Sequence, residues 1–361
     1  MIFYENLNKT NSEFYDEYIN SLKKFKEKGS YILGGNLINF EKNFSKYIGA
    51  RHCAGVANGL DALIISLKSL NLPKNSEVIV AANTYIATIL AILNAGLKPI
   101  LVEPCKDTYN IDPIKIEKKI TKKTKAIIAV HLYGKCCDMA AIGKICKKNN
   151  LFLIEDCAQS HGATFKNKSA GTFGNFACFS FYPTKLLGCL GDGGAVISKN
   201  KKDDLLIKKF RNYGSIKRYK NEIIGLNSRL DEIQAIFLIK KLKYLNKMIA
   251  HKRKLASIYF ENLNKEFILP KIHNDYSDVF YVFNIRHEKR DRLRFFLKKN
   301  DVFTDIHYPT PPYKQQAVKQ IFENQKFPIS DEIHNTTLSL PISYSHSKEE
   351  IYKVVKLINS F

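Results

Sequence analysis

The sequence predicts an α/β protein with a large domain, built on a mostly parallel central sheet covered by helices, and a smaller C-terminal α/β domain. Two observations predict the first part. Short apolar runs alternate with helix-length amphipathic segments from about residue 53 to residue 198. Runs such as EVIVA (77–81) and KPILV (98–102) are apolar almost end to end, as strands buried on both faces are. The third observation is a change of pattern after about residue 230, where long helical spacing takes over and one alternating strand follows.

Taken in order, residues 12–28 place Phe14, Tyr18, Leu22 and Phe25 on one helical face, with Gly29 as a stop. YILGGN (31–36) reads as a turn, and a helix restarts over 37–47. An apolar start at Cys53 runs into Asn58-Gly59, and an amphipathic helix begins near Leu60 or Asp61. A glycine turn feeding a helix N-terminus offers free N–H groups and the positive end of a dipole, which is a seat for phosphate. Strands at 77–81, 98–102, 126–131 and 151–155 then alternate with helices at 85–95, 113–120 and 139–149. Ligands of such sheets bind beyond the carboxyl ends of the strands. Tyr85, Asp156 and Ser180 all fall at or just past those ends.

Two further strands are expected at 178–182 and 195–198. Between them lie Pro183, one lysine (Lys185) and the glycines 188, 191, 193 and 194. An ammonium in apolar, glycine-rich surroundings is costly without a partner. A desolvated lysine there has a lowered pKa and can form a Schiff base with an aldehyde, although a solvated loop lysine is the plain alternative. Beyond residue 230, a long helix over 231–251 continues in helical spacing to 263, and 279–286 alternates like a strand. Helices at 291–299 and 348–361 flank a proline-rich loop at 308–312. These patterns divide the chain into a large domain, 1–239, and a small one, 240–361.

The chain has 361 residues, 45% of them hydrophobic, enough for a sizeable core. No apolar run approaches the roughly 20 residues that span a membrane, and the N-terminus does not read as a secretion signal. All eight cysteines fall in the first 189 residues without a CxxC pair, which suits neither a zinc site nor a disulfide framework. A cytoplasmic location is expected. The formal charge of +23 is mostly lysine spread along helical segments, and no nucleic-acid-binding motif is present. A solvated surface is therefore expected, one that attracts anionic small molecules such as a nucleotide diphosphate. No GxxxxGK[ST] phosphate loop occurs.

A pyridoxal phosphate site needs a lysine, a carboxylate for the pyridine nitrogen, an aromatic cover for the ring, and donors for the phosphate. Lys185, Asp156, Tyr85, and the Gly59 turn with Ser180 supply this set in one α/β domain. The chain resembles the nucleotide-sugar aminotransferases, the DegT/StrS group of the fold type I pyridoxal phosphate enzymes. The resemblance rests on YILGG (31–35), NGLDALI (58–64), NTYIATILAILNAG (83–96), VHLYG (130–134) and EDCAQSHGA (155–163). It continues through GTFGNFACFSFYPTKLLGCLGDGGA (171–195), RNYGS (211–215), GLNSRLDEIQA (225–235) and IHYPTPPYKQQ (306–316).

The resemblance implies that Lys185 forms the Schiff base and carries the proton of transamination, with pyridoxamine phosphate as the intermediate cofactor form. It implies that Asp156 pairs with the ring nitrogen, Gln159 bonds the phenolic oxygen, and Tyr85 stacks on the ring. Ser180 and the Asn58–Gly59–Leu60 turn would hold the phosphate, joined by Asn227 from the second subunit of a homodimer, with Arg229 shaping the same loop. Tyr182, His307 and Tyr308 become candidates for the sugar pocket, and Arg218 and Tyr219 for the pyrophosphate. Lysine at 185 argues against the members that carry histidine there and act as dehydrases. SFYPTK with GDGGA resembles the branch acting on 3-keto-6-deoxy sugars, whereas many C4 aminotransferases carry SFHxxK. Leu186 stands where that branch commonly has Asn. The expected reaction moves an amino group from glutamate to the C3 ketone of a dTDP-linked 6-deoxy sugar. The alternatives are a C4 aminotransferase on a UDP- or dTDP-4-keto sugar and, more remotely, a pyridoxal phosphate sensor or a basic nucleic-acid-binding protein.

Overall fold

The computed structural model describes residues 1–361, the side chain of Lys28 excepted. Its centre is a seven-stranded sheet of β1 (His52–Val56), β2 (Glu77–Ala81), β3 (Lys98–Val102), β4 (Thr124–Val130), β5 (Phe152–Asp156), β6 (Phe176–Ser180) and β7 (Gly194–Ser198). Their order is β1-β7-β6-β5-β4-β2-β3. Pairs from β6 to β3 are parallel, and β7 alone runs antiparallel to its neighbours β1 and β6. Every residue of β2 and β7 is buried, which explains their unbroken apolar character.

The helices of this part are α1 (Leu7–Lys28), α2 (Gly35–Ile48), α3 (Gly59–Ser69), α4 (Ile86–Asn94), α5 (Pro113–Glu117), α6 (Met139–Asn149) and α7 (Lys201–Phe210). They cover the sheet on both sides, and two apolar clusters lie between the layers. One contains Phe40, Phe44, Phe179 and Phe181, and the other Ile65, Val78, Ile89 and Ile128. Several starts follow from side-chain caps. Asn6 accepts from the Lys9 N–H, Asn58 from Asp61, Asp138 from Ala141 and Asn200 from Asp203. Gly29 ends α1 with φ +63°.

The helix expected over 231–251 is in fact two, α8 (Glu232–Leu242) and α9 (Leu245–Asn262). The N–H groups of Lys243 and Tyr244 bond to carbonyls three residues back, at 3.2 and 3.0 Å, which tightens and re-aims the chain. Leu242 and Leu245 are buried on both sides of this break, so the apolar spacing runs straight through it. The first half of α9 packs Met248 and Ile249 into the sheet's core. Its second half packs Leu255 and Tyr259 into a third cluster with β8 (Phe283–Arg286), α10 (Arg290–Lys299), β9 (Thr337–Leu340) and α12 (Lys348–Asn359), whereas α11 (Pro328–Thr336) puts Ile333 into the cluster of Ile65 and Val78. β8 and β9 pair antiparallel, Phe283 opposite Leu340. A Ser347–Glu350 capping box starts α12. Ile2 belongs to this cluster too, bridged to Val302.

Candidate active site

The strand ends bring four chain segments together. β2 ends at Ala81, and Asn83, Thr84 and Tyr85 follow before α4. β4 leads to His131, β5 ends in Glu155-Asp156, and β6 ends in Ser180. Glu155 is fully buried and anchors this end of β5. Its carboxylate accepts from the Gly171, Phe173 and Gly174 N–H groups at 2.7–2.8 Å, and from His131 Nε2 at 3.0 Å. His131 Nδ1 accepts from the Cys137 N–H, which puts the ring proton on Nε2 facing Glu155. Burial alone would raise the Glu155 pKa, yet the His131 and backbone hydrogen bonds hold it below the usual carboxylate range.

Asp156 points the other way. One oxygen accepts from Thr88 Oγ1 at 2.9 Å and the other from the Ala158 N–H at 3.1 Å. Burial raises its pKa despite these bonds and the nearby charge of Lys185. A carboxyl so placed gains most from a cationic N–H partner.

Lys185 follows β6 on a loop bent back onto itself. Its N–H bonds the Tyr182 carbonyl at 2.8 Å, and Gly188 lies so close that a Cβ there would sit 2.3 Å from the Pro183 carbonyl oxygen. Leu186, the departure noted in the sequence, turns into the core among Leu187 and Cys189. Beneath the loop, buried Lys241 donates to the Gly188 carbonyl at 3.1 Å and to Asn11 at 3.0 Å, and burial pulls its pKa down to about 8. The Lys185 amine meets Tyr281, 3.1 Å from its hydroxyl and 4.3 Å from its ring centre.

Tyr281 begins an arc of aromatic rings. His307 lies 6.5 Å from Tyr281 and 5.4 Å from Tyr308, and Tyr308 lies 5.1 Å from Tyr85, centre to centre. Gln159 accepts from the Tyr133 N–H at 2.6 Å, so its Nε2 donates to the Tyr308 hydroxyl at 2.8 Å. The Tyr133 hydroxyl donates to the His307 carbonyl. Burial, opposed by Asp305 and reinforced by Lys185, lowers the His307 pKa to about 4.

At the other end, Asn58, Gly59 and Leu60 open α3 against Ser180 and Gly194. A Cβ on Gly59 would stand 2.7 Å from Ser180 Cβ, and one on Gly194 would stand 2.4 Å from the Asn58 carbonyl oxygen. The helix leaves its first N–H groups without internal acceptors.

The structure thus gathers Lys185, Asp156, Gln159, Tyr85, His307 and Tyr308 on one side of the sheet, with the Asn58–Leu60 turn beside Ser180. Tyr182 is half exposed at the rim. Arg218 and Tyr219 sit at the tip of a hairpin over 215–221, Tyr219 being 86% exposed, and no contact within this chain brings them to Lys185. Asn227 is likewise exposed, while Arg229 donates to Asn212 at 3.0 Å and so steadies its loop. Sequence reasoning missed Thr88, Tyr133 and Tyr281. Thr88 was readable as one helical turn beyond Tyr85; Tyr281 carries no local signal for the site, because it arrives from the segment ahead of β8 and packs against the sheet-side cluster.

Comparison with known proteins decides the family. The model of the DegT/DnrJ/EryC1/StrS aminotransferase family matches residues 13–359. The chain belongs to this family. A relative from Aneurinibacillus thermoaerophilus, named dTDP-3-amino-3,6-dideoxy-alpha-D-galactopyranose transaminase, is 46% identical over 100% of this aminotransferase and 99% of its own length. One from Streptomyces venezuelae, named dTDP-3-amino-3,4,6-trideoxy-alpha-D-glucose transaminase, is 36% identical over 93% of this chain and 89% of its own. Among solved structures, S. venezuelae DesV in complex with a ketimine intermediate superposes with a TM-score of 0.95, at 35% identity over 98% of this chain and 96% of the other. The ntda protein of Bacillus subtilis, with bound pyridoxamine phosphate, gives 0.92 at 30% identity over 98% and 83%.

The aminotransferases of this family depend on pyridoxal phosphate, and the residues present fit it. Asp156 is a buried carboxyl near enough to Lys185 to feel its charge, Tyr85 presents an exposed ring, and the Gly59 cradle has no room for a side chain.

Proposed function

We infer that this aminotransferase moves an amino group from glutamate to the C3 ketone of a dTDP-3-keto-6-deoxyhexose, giving a dTDP-3-amino-3,6-dideoxyhexose. The observation carrying the reading is the end-to-end 46% identity with a relative named for a 3-amino-3,6-dideoxy sugar, and the site geometry supports it. Asp156 would pair with the pyridine nitrogen, Gln159 with the phenolic oxygen, and Tyr85 with the ring face. Ser180 and the Asn58–Gly59–Leu60 turn would take the phosphate. Bound there, pyridoxal phosphate supplies an electron sink that acidifies the donor's Cα–H.

The protein's own part is proton handling. Lys185 Nζ would carry the proton of the donor's Cα to C4′ of the cofactor and, in the second half of the cycle, carry one from C4′ to C3 of the sugar. The Tyr281 hydroxyl holds the freed amine at 3.1 Å, so the lysine stays within reach between the two transfers. Tyr182, His307 and Tyr308 form the sugar pocket in this reading. His307, neutral because of burial, is fixed by Ser339 at 2.9 Å from Nδ1.

The enzyme works as a homodimer in this proposal. Tyr31, Ile32, Ile38, Ile216 and Ile224 are exposed apolar side chains, Ile224 at 96%, available to such an interface. Asn227, Arg218 and Tyr219 stand on the same 213–229 segment, where they would serve the partner's phosphate and pyrophosphate. Two lobes, 1–239 and 240–361, enclose each site. We place the enzyme in the cytoplasm, where its eight free cysteines stay reduced; among the described residues no helix is long and apolar enough to cross a membrane.

The test is spectroscopic. The purified protein with pyridoxal phosphate should show the visible band of a lysine-bound cofactor. Glutamate should bleach it, and a dTDP-3-keto-6-deoxyhexose should restore it. Replacing Lys185 with Ala should remove the band and turnover together. Restoration by a 4-keto sugar alone would overturn the C3 assignment.

A further inference from the structure

We propose that residues 1–4 form a strap that carries Tyr4 into the acceptor end of the active site, where its ring and hydroxyl bind the hexose of the nucleotide sugar. The proposal rests on the aminotransferase reading above. The strap is tied down residue by residue. The Ile2 N–H donates to the Asp301 carbonyl at 2.7 Å, and its carbonyl accepts from the Phe303 N–H at 2.9 Å. Phe3 stacks on Phe303 at 5.7 Å. The Phe3 carbonyl accepts from His346 Nε2 at 2.8 Å, and His346 Nδ1 accepts from the Ser343 N–H, which fixes the proton on the nitrogen facing the strap. Beyond Tyr4, Asn6 caps α1. Tyr4 is therefore held from both sides, in a segment whose own residues form no helix or strand of the core.

Its ring lies 5.8 Å from His307, the middle of the aromatic arc. Tyr4 thus extends the series Tyr85, Tyr308, His307 at the end away from Tyr85, the ring assigned to the cofactor. Its hydroxyl makes no hydrogen bond among the described residues and keeps access to solvent, Tyr4 being half-buried, while desolvation raises its pKa above that of free tyrosine, with Tyr281, Asp305 and Tyr308 among the groups it senses. A tyrosine joins an apolar ring to a polar tip that takes a hydrogen-bond partner where one is offered. One left without a partner beside two other tyrosines and a histidine is matched to a ligand carrying hydroxyls. A 6-deoxyhexose offers those together with an apolar methyl group and C–H faces that pack on rings. Glutamate, smaller and charged, makes less use of such a wall.

The experiment compares Tyr4→Ala and Tyr4→Phe with the wild type as full-length holoenzyme, following the glutamate and sugar half-reactions separately by the visible band. Calorimetry on the pyridoxamine phosphate form of the enzyme, with which an amino sugar does not react, measures binding of dTDP and of the aminated dTDP-sugar. For Tyr4→Ala, the ketosugar KM should rise at least tenfold more than the glutamate KM, and the amino-sugar nucleotide should lose at least tenfold more affinity than dTDP. Tyr4→Phe, which keeps the packing of the strap, should show about a threefold effect of the same kind. Equal losses for dTDP and dTDP-sugar would overturn the proposal, since a merely structural strap would weaken both. An unchanged ketosugar KM in Tyr4→Phe would overturn the hydroxyl's part even if the Ala variant did not fold. Failure of the aminotransferase reading gives a different signal, a wild-type band that glutamate leaves untouched.

Discussion

Replacing His161 with Phe should flatten the acid limb of the stability curve. His161 is fully buried between Phe179 and Phe181, at 5.4 and 5.9 Å, and neither ring nitrogen has a hydrogen-bond partner. Burial first, then the charge of Lys185, pulls its pKa from 6.5 down to about 3. Above pH 6.5 the ring is neutral in folded and unfolded chains alike. As the pH falls below 6.5 the unfolded chain binds a proton that the folded chain refuses until about pH 3. Stability is therefore present above the unfolded value and is lost progressively through this window. One withheld proton is worth about 1.4 kcal/mol per pH unit, so between pH 6.5 and 4.5 the loss is roughly 2.5 kcal/mol. That is a substantial part of the 5–15 kcal/mol typical of a folded protein. Urea unfolding of the wild type and His161→Phe at pH 6.5, 5.5 and 4.5, followed by circular dichroism, measures the difference. His307, His334 and His346, also held neutral by burial, leave a residual slope common to both proteins. Parallel curves would refute the reasoning, because they would mean that His161 is protonated in the folded state.

Asp156→Asn should keep the fold and cut turnover by 10²–10³, about the effect of losing one preorganised electrostatic partner; steady-state rates with unchanged circular dichroism would show it. Gly194→Ala should weaken pyridoxal phosphate binding at least tenfold in a fluorescence titration, because its Cβ would press within 2.4 Å of the Asn58 carbonyl and displace the start of α3. Ile224→Glu should shift sedimentation toward the monomer and lower activity on dilution, since a carboxylate would be buried in the proposed interface.

The half of the site carried by strand ends was legible in the sequence, and the reason is local. An apolar run bounded by a turn marks a strand, and the residue after it lies at the carboxyl edge of the sheet. Tyr85, Asp156 and Ser180 could each be placed that way, and Lys185 stood out as the lone lysine of the glycine-rich loop beyond β6. The wall facing them could not. Tyr281 precedes β8, whose partner β9 is TLSL, a short and half-polar segment without strand patterning. The helix α7 escaped for a similar reason: KKDDLLIKKF buries only Asp204 and Ile207, too thin a stripe to announce a face. The break between α8 and α9 was hidden by the continuous apolar spacing across it. Asn227, Arg218 and Tyr219 were assigned by resemblance, and within one chain they remain on the surface.

This division between strand ends and wall bears on how the family changes substrate. The groups expected to touch the cofactor stand on the sheet, backed by Glu155 and His131, whose hydrogen bonds are all satisfied in the core. Altering them would disturb the cofactor and the fold together. The groups proposed to face the acceptor stand elsewhere: Tyr281 ahead of β8, His307 and Tyr308 on the segment paired with β9, and Tyr4 on the strap. The segments carrying His307, Tyr308 and Tyr4 are held by backbone hydrogen bonds that do not depend on those side chains, such as Asp305 with Ser339 and Ile2 with Asp301. A side chain there can change while its backbone stays paired, so acceptor specificity can drift without loss of the lysine chemistry. Relatives at 35–46% identity, named for sugars that differ at C4 and in the nucleotide, are what such an arrangement would leave behind.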